Sequence, residues 1–151
     1  MRQITSEGLA LSQRFEGFSS TVYICPAGYP TIGYGHVVRE GECFSESGIS
    51  CAEGLRLLQQ DVRSAEQAVL RLIRVPLSGG QFDALTSFTY NLGAGALQRS
   101  TLRRKVNRGE HGAVPAEFLR WVWAGGRRLK GLVRRREAEA VLYVKVYETI
   151  A

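Results

Sequence analysis

Histidine, cysteine and proline are scarce in this chain of 151 residues, which has two, three and four of them. Without a C-x-x-C pair, and with His36 and His111 as the only imidazoles, the sequence offers no four-ligand set for a structural zinc ion. We therefore expect no metal site and no cofactor. Three cysteines form no complete disulfide framework, and whether Cys43 and Cys51 are bridged stays open, although free thiols are expected in a cytosolic product.

Long hydrophobic runs are also missing. No stretch approaches the roughly 18 apolar residues of a membrane span, and Met1–Glu7 lacks the apolar segment of a signal peptide. We expect neither an export signal nor a membrane anchor. With 44% hydrophobic and 23% charged residues and no low-complexity segment, residues 1–151 are predicted to form a single folded domain.

Positive charge, by contrast, is abundant. The net charge is +6, the pI is about 9.6, and part of the excess lies near the C-terminus in Arg127, Arg128, Lys130, Arg134, Arg135 and Arg136. Such a surface attracts nucleic acid, anionic lipid or the acidic polymers of a bacterial envelope, and charge does not choose among them. No aromatic-basic ribonucleoprotein motif or recognition-helix signature is present, so we expect no nucleic-acid partner.

Helical and strand patterns alternate in the first part of the chain. Thr5 and Ser6 are predicted caps of a first helix, whose apolar stripe comprises Leu11, Phe15 and Phe18. From Thr21 to Val38, β-branched and aromatic residues broken by glycine and proline predict a small hairpin or meander. A short sheet therefore follows the first helix.

Helices dominate the remainder. The S-x-x-E box at Ser50 predicts a long helix that ends by Pro76, and a second box at Ser78 opens a helix that stops at Gly93. Shorter helices are predicted over 101–107, 116–123 and 132–148. The fold class is therefore α+β and mainly helical: a small sheet-bearing N-terminal lobe (about 12–60) and a helical C-terminal lobe (about 75–151, with the first helix packed on it), joined by a long helix.

Glu16 is the candidate general acid. Hydrolysis of an acetal requires a proton for the leaving oxygen, and apolar neighbours such as Phe15 and Phe18 favour a protonated carboxyl group near neutrality. Cys25 and Thr31 follow Glu16 across the predicted hairpin and are expected to face the same cleft between the lobes.

This segment resembles the phage-type lysozymes, or endolysins, of glycoside hydrolase family 24. Their signature is a Glu, eight residues, an Asp or Cys, five residues and a Thr that begins T-I-G-x-G-H, which stands here as Glu16, Cys25 and Thr31–His36. The resemblance continues in the family's order through Gln81–Leu85, Tyr90–Gly93, Ser100–Leu102, Phe118–Trp121 and Gly131–Arg136.

The resemblance implies a lysozyme-like fold and a muramidase that cuts the β-1,4 bond between N-acetylmuramic acid and N-acetylglucosamine. It makes Glu16 the proton donor and assigns the attacking water to Cys25 and Thr31. The candidate substrate-binding residues are Gly33, Tyr34, His36 and Asn91. Of these, His36 is better interpreted as a hydrogen-bonded structural residue than as a catalyst, and Asn91 as either a helix C-cap or a polar contact in the cleft.

Cysteine at the second position leaves its role open, because a free thiol is only a few per cent ionised at neutral pH. Cys25 is interpreted as a thiolate that acts as base or charge stabiliser, as a neutral group that orients water, or as a nucleophile. The first two are favoured, since the family's geometry fits an attacking water and inversion.

Two other functions remain in view: a lytic transglycosylase, and a non-catalytic domain that binds peptidoglycan or nucleic acid. For the favoured endolysin we expect a monomer acting on peptidoglycan, with anionic lipid or lipopolysaccharide as a further partner of the basic C-terminal helix. It would stay in the host cytoplasm until the inner membrane is permeabilised and would then reach the periplasm.

Overall fold

The computed structural model describes residues 1–145, which form eight α-helices, one 3-10 helix and two small antiparallel sheets. The helices are α1 (Ser6–Glu16), α2 (Cys51–Asp61), α3 (Arg63–Leu72), α4 (Gly79–Leu92), α5 (Ala94–Arg99), α6 (Thr101–Asn107), α7 (Val114–Phe118) and α8 (Lys130–Val144), with the 3-10 helix at His111–Ala113. The strands are β1 (Ser19–Ile24), β2 (Pro30–Gly33), β3 (His36–Val37), β4 (Trp123–Ala124) and β5 (Arg127–Arg128). The predicted mainly helical α+β class is confirmed.

The first helix ends where glycine reverses the backbone. Thr5 caps its start by accepting the Gly8 N–H at 3.4 Å, and Gly17 ends it with φ +71°. Phe18 therefore lies outside the helix, and its predicted place in the helical stripe is wrong. Its ring instead packs on Tyr34, with centroids 5.0 Å apart.

The predicted meander is confirmed as three antiparallel strands in the order β1-β2-β3. Thr31 of β2 lies between Tyr23 of β1 and Val37 of β3. The turn from β2 to β3 requires glycine, because Gly33 and Gly35 have φ of +66° and +78°. The hairpin tip before β2 and this turn after it therefore lie at opposite ends of β2, with Thr31 between them.

The long helix is divided in two. Ser50 caps α2 by accepting the Glu53 N–H at 3.1 Å, as its motif predicts. At Val62, however, ψ flattens to −11°, which separates α2 from α3, and α3 ends at Leu72 before Pro76 is reached. The prediction of one uninterrupted helix is wrong at Val62.

Helix α4 is the centre of the helical core. Its start at Ser78 has both hydrogen bonds of the capping box, and every residue from Phe82 to Thr89 is buried. Gly80 lets α8 approach, since a Cβ there would lie 2.3 Å from the Leu142 carbonyl oxygen. Helix α1 also packs against α4. The division into an N-terminal and a C-terminal lobe at the boundaries given above stays a prediction.

The C-terminal third differs most from its prediction. The helix predicted over 116–123 ends at Phe118, and Trp123 instead starts a two-stranded hairpin that turns at Gly125 and Gly126, both with positive φ. Helix α5 was not predicted. Helix α8 begins at Lys130, and the predicted helix end at 148 lies outside the described residues.

Candidate active site

Glu16 is the last residue of α1 and faces the turn between β2 and β3. Its side chain is 25% exposed, so it is neither in bulk solvent nor sealed from a substrate. A Cβ built on Gly35 would lie 2.9 Å from Glu16 Oε2. Glycine at that position therefore leaves the room that the carboxylate occupies.

Arg135 is the partner of Glu16 that the sequence argument missed. Its Nη1 donates to Glu16 Oε1 at 2.8 Å, although the two residues are 119 positions apart. Phe15 lies nearby, with its ring centroid 5.8 Å from the Arg135 guanidinium. The surroundings of Glu16 are therefore not the purely apolar ones that the sequence predicts. Arg135 makes a charge-assisted hydrogen bond to the candidate acid.

Arg135 is itself held by the helical lobe. Its Nη2 donates to Ser87 Oγ at 3.4 Å, and its Nε lies 3.5 Å from Glu139 Oε2. Ser87 donates to the same Glu139 oxygen at 2.6 Å. All three side chains are buried, so Glu16 is attached to the inside of the protein through one arginine.

Cys25 and Thr31 meet on the β1–β2 hairpin. The Cys25 N–H donates to the Tyr29 carbonyl at 2.9 Å and closes the hairpin tip, and Thr31 is the second residue of β2. A hydrogen bond from the Tyr29 backbone, opposed by burial and aided by the Thr31 side chain, lowers the pKa of the Cys25 thiol from its ordinary value. These contacts favour the thiolate form of Cys25.

The Thr31 hydroxyl lies between two acceptors. It is buried and lies 2.9 Å from the Tyr29 carbonyl oxygen, to which it donates. Its single proton can go either to that carbonyl or to the Cys25 sulfur, and its lone pairs stay available to a water hydrogen in both cases. Thr31 thus has the hydrogen-bonding capacity to hold a water molecule.

His36 has the contacts of a structural residue. It is 2% exposed, its Nδ1 lies 2.8 Å from Asp61 Oδ2, and its Nε2 lies 3.0 Å from Glu42 Oε1. Burial alone would lower the pKa of His36, but hydrogen bonds to two carboxylates and their charge outweigh it and raise the pKa. Both ring nitrogens of His36 thus have protein partners. These contacts agree with the interpretation of His36 as a structural residue, and its contact with substrate stays a prediction.

The other candidate substrate-binding residues serve packing or polar networks in the described structure. Gly33 is buried, and a Cβ there would lie 3.3 Å from Gly54 Cα. Tyr34 packs with Phe18, and Asn91 Oδ1 accepts from Arg136 Nη2 at 2.7 Å. The C-cap of α4 is Gly93, so of the two roles considered for Asn91 the polar contact is the one observed, toward a protein partner. Sugar contacts by these residues stay predictions.

Within residues 1–145, no group of three acidic, histidine or cysteine side chains is arranged to hold a metal ion. Over the same residues, no helix has the length and apolarity that a membrane crossing requires.

Comparison with known proteins is consistent with this arrangement. The model of the phage lysozyme family matches residues 13–139. The chain is 36% identical over 143 residues to the endolysin of Salmonella phage P22, covering 93% of this chain and 98% of that protein. It is 38% identical over 146 residues to the endolysin of Bacillus phage B103, covering 93% of this chain but 54% of that protein, so it spans about half that relative's length. A crystal structure of a P22 lysozyme mutant superposes with a TM-score of 0.87 at 34% identity, covering 96% of this chain and 100% of that one.

Proposed function

The chain belongs to the phage lysozyme family of glycoside hydrolases, and from that membership we propose that it cleaves the β-1,4 bond between N-acetylmuramic acid and N-acetylglucosamine in bacterial peptidoglycan. This activity would lyse the host at the end of a phage cycle. The observation that carries the proposal is the position of Glu16, quarter-exposed and hydrogen-bonded by Arg135, against the β2–β3 turn of the meander whose β1–β2 hairpin carries Cys25 and Thr31.

Glu16 is the proton donor in this proposal. Its proton passes to the glycosidic oxygen as the bond from that oxygen to the anomeric carbon breaks, which leaves Glu16 as a carboxylate. The guanidinium of Arg135, 2.8 Å from Oε1, stabilises the anion that forms. The same contact fixes the direction from which the acid reaches the leaving oxygen.

In this proposal, Cys25 and Thr31 act on the water molecule that attacks the anomeric carbon. Thr31 accepts a hydrogen bond from this water, and the thiolate of Cys25 takes its proton or stabilises positive charge at the anomeric carbon. The lowered pKa of Cys25 supports the thiolate over the neutral water-orienting form. Attack by water on the face opposite the leaving group gives inversion.

The test compares wild type with Glu16→Gln in turbidity clearing of chloroform-treated Gram-negative cells, followed by mass spectrometry of the released muropeptides. We expect clearing and reducing ends from the wild type and no clearing from Glu16→Gln, because an amide N–H is too weak an acid to protonate the leaving oxygen. Full activity of the variant would refute the assignment of the acid. Anhydromuramic ends would instead identify a lytic transglycosylase, and binding without cleavage would identify a non-catalytic domain.

Anionic lipid or lipopolysaccharide is proposed as an additional partner. Arg135 and Arg136 are buried, so the basic side chains available to such a partner are the exposed Arg127, Arg128, Lys130 and Arg134 around β5 and the start of α8. We propose that the protein acts as a monomer and meets the wall in the periplasm after the inner membrane is permeabilised. If it neither kills intact cells nor increases their uptake of a hydrophobic dye, the envelope activity is refuted.

A further inference from the structure

A fully buried carboxylate lies in the helical lobe next to the candidate acid's partner. Glu139 of α8 has no exposed surface, and Ser87 of α4 donates to its Oε2 at 2.6 Å. Arg136 Nε lies 2.7 Å from Oε1, and Arg135 Nε lies 3.5 Å from Oε2. One buried acid thus faces two buried guanidinium groups.

Glu139 is ionised in this arrangement. Burial raises the pKa of Glu139, and the two arginines and Ser87 act against that rise. Because arginine keeps its proton in proteins, a neutral Glu139 would leave the charge of Arg136 uncompensated in the interior, which costs more than ionising the acid. The negative charge of Glu139 is therefore part of the native network.

Arg135 connects the buried Glu139 to the partly exposed Glu16. It donates to Glu16 at 2.8 Å with Nη1, while Nη2 and Nε face Ser87 and Glu139. Two of its nitrogens thus donate hydrogen bonds to α1 and α4, and the third lies within ion-pair distance of Glu139 on its own helix, which restricts the rotation of its side chain. A change at Glu139 or Ser87 therefore acts on Glu16 through Arg135.

We propose that Glu139 and Ser87 are positioning residues for the acid: they hold Arg135 in place, so that Arg135 fixes the direction of the Glu16 carboxyl group. This inference rests on the proposed role of Glu16. The 2.8 Å contact from Arg135 then sets the direction from which the acid reaches the leaving oxygen.

The experiment measures kcat and KM on purified peptidoglycan for wild type, Glu139→Gln and Ser87→Ala. Glu139→Gln should lower kcat about tenfold with KM unchanged, because Arg135 then orients Glu16 less firmly. Ser87→Ala removes two contacts without removing a charge, so it should lower kcat by a smaller factor. It also decides the question if Glu139→Gln does not fold.

Glu117→Gln is the matched control. Glu117 is a buried acid that contacts two basic side chains elsewhere in the lobe, Lys105 at 2.9 Å and Arg120 at 3.1 Å. This variant should lose thermal stability while keeping the wild-type kcat and KM. Wild-type kcat in both Glu139→Gln and Ser87→Ala would overturn the inference. If Glu16→Gln, assayed beside them, stayed active, the proposed function itself would fail.

Discussion

Replacing Gly35 with alanine places a methyl group against the carboxylate of Glu16. The new Cβ would lie 2.9 Å from Oε2, and ordinary contact begins at about 3.4 Å, so the carboxylate must move by about 0.5 Å. Such a movement disturbs the 2.8 Å contact with Arg135. Since a displacement of about 1 Å costs about 100-fold in rate, we expect about tenfold loss of kcat.

Backbone strain adds a second effect that must be separated from the first. Gly35 has φ +78°, where a Cβ costs about 1–2 kcal/mol of stability, equivalent to about 2–8 °C in Tm for a domain of this size. Gly109→Ala is the matched control, because Gly109 has φ +73° and a Cβ there meets nothing within 4 Å. Both variants should lose similar stability in thermal unfolding, but only Gly35→Ala should lose clearing activity at a temperature where both are folded. Equal activity of the two variants would refute the proposed role of this close approach.

Three other predictions concern Cys25, His36 and Ser78. Cys25→Asp should keep activity and Cys25→Ser should reduce it, because aspartate supplies the negative charge of a thiolate and serine does not; equal initial clearing rates for the two would contradict a charged role. The raised pKa of His36 contributes stability that is complete below its unfolded value near 6.5 and is lost as pH rises through the folded value. The difference in unfolding free energy between wild type and His36→Gln, measured in urea, should therefore be largest below about pH 6.5 and should shrink above it; a constant difference would argue against the charged ring. Ser78→Ala should cost about 1 kcal/mol by removing the capping box of α4, and an unchanged urea midpoint would show that the cap contributes little.

Local signals predicted the elements that depend on neighbouring residues. The capping box at Ser78 and the glycine at 93 define α4 within one residue at each end, because cap hydrogen bonds and positive φ are decided over three or four positions. The break at Val62 was not predictable from hydrophobic spacing, which continues unchanged through α2 and α3. The hairpin after Trp123 does have a local signal, since two consecutive glycines between short segments are typical of a two-residue turn.

The site was predictable only in part, because local signals do not show contacts between residues that are distant in the sequence. Glu16, Cys25 and Thr31 lie within one short segment whose motif is visible in the chain. Arg135 reaches Glu16 from 119 positions away, and the sequence showed it only as one of three consecutive arginines. Three consecutive residues point in different directions around a helix, and here Arg134 is exposed while the other two are buried. The choice of Arg135 for Glu16 and of Glu139 for both buried arginines depends on how α8 docks on α4.

The tie between Glu16 and Arg135 also has a consequence for the timing of synthesis. While a nascent chain is still on the ribosome, Glu16, Cys25 and Thr31 emerge long before the arginine that contacts Glu16. A half-made product would thus carry the motif without the partner of its proposed proton donor. Glu16 and Arg135 can meet only once α8 has left the exit tunnel and docked.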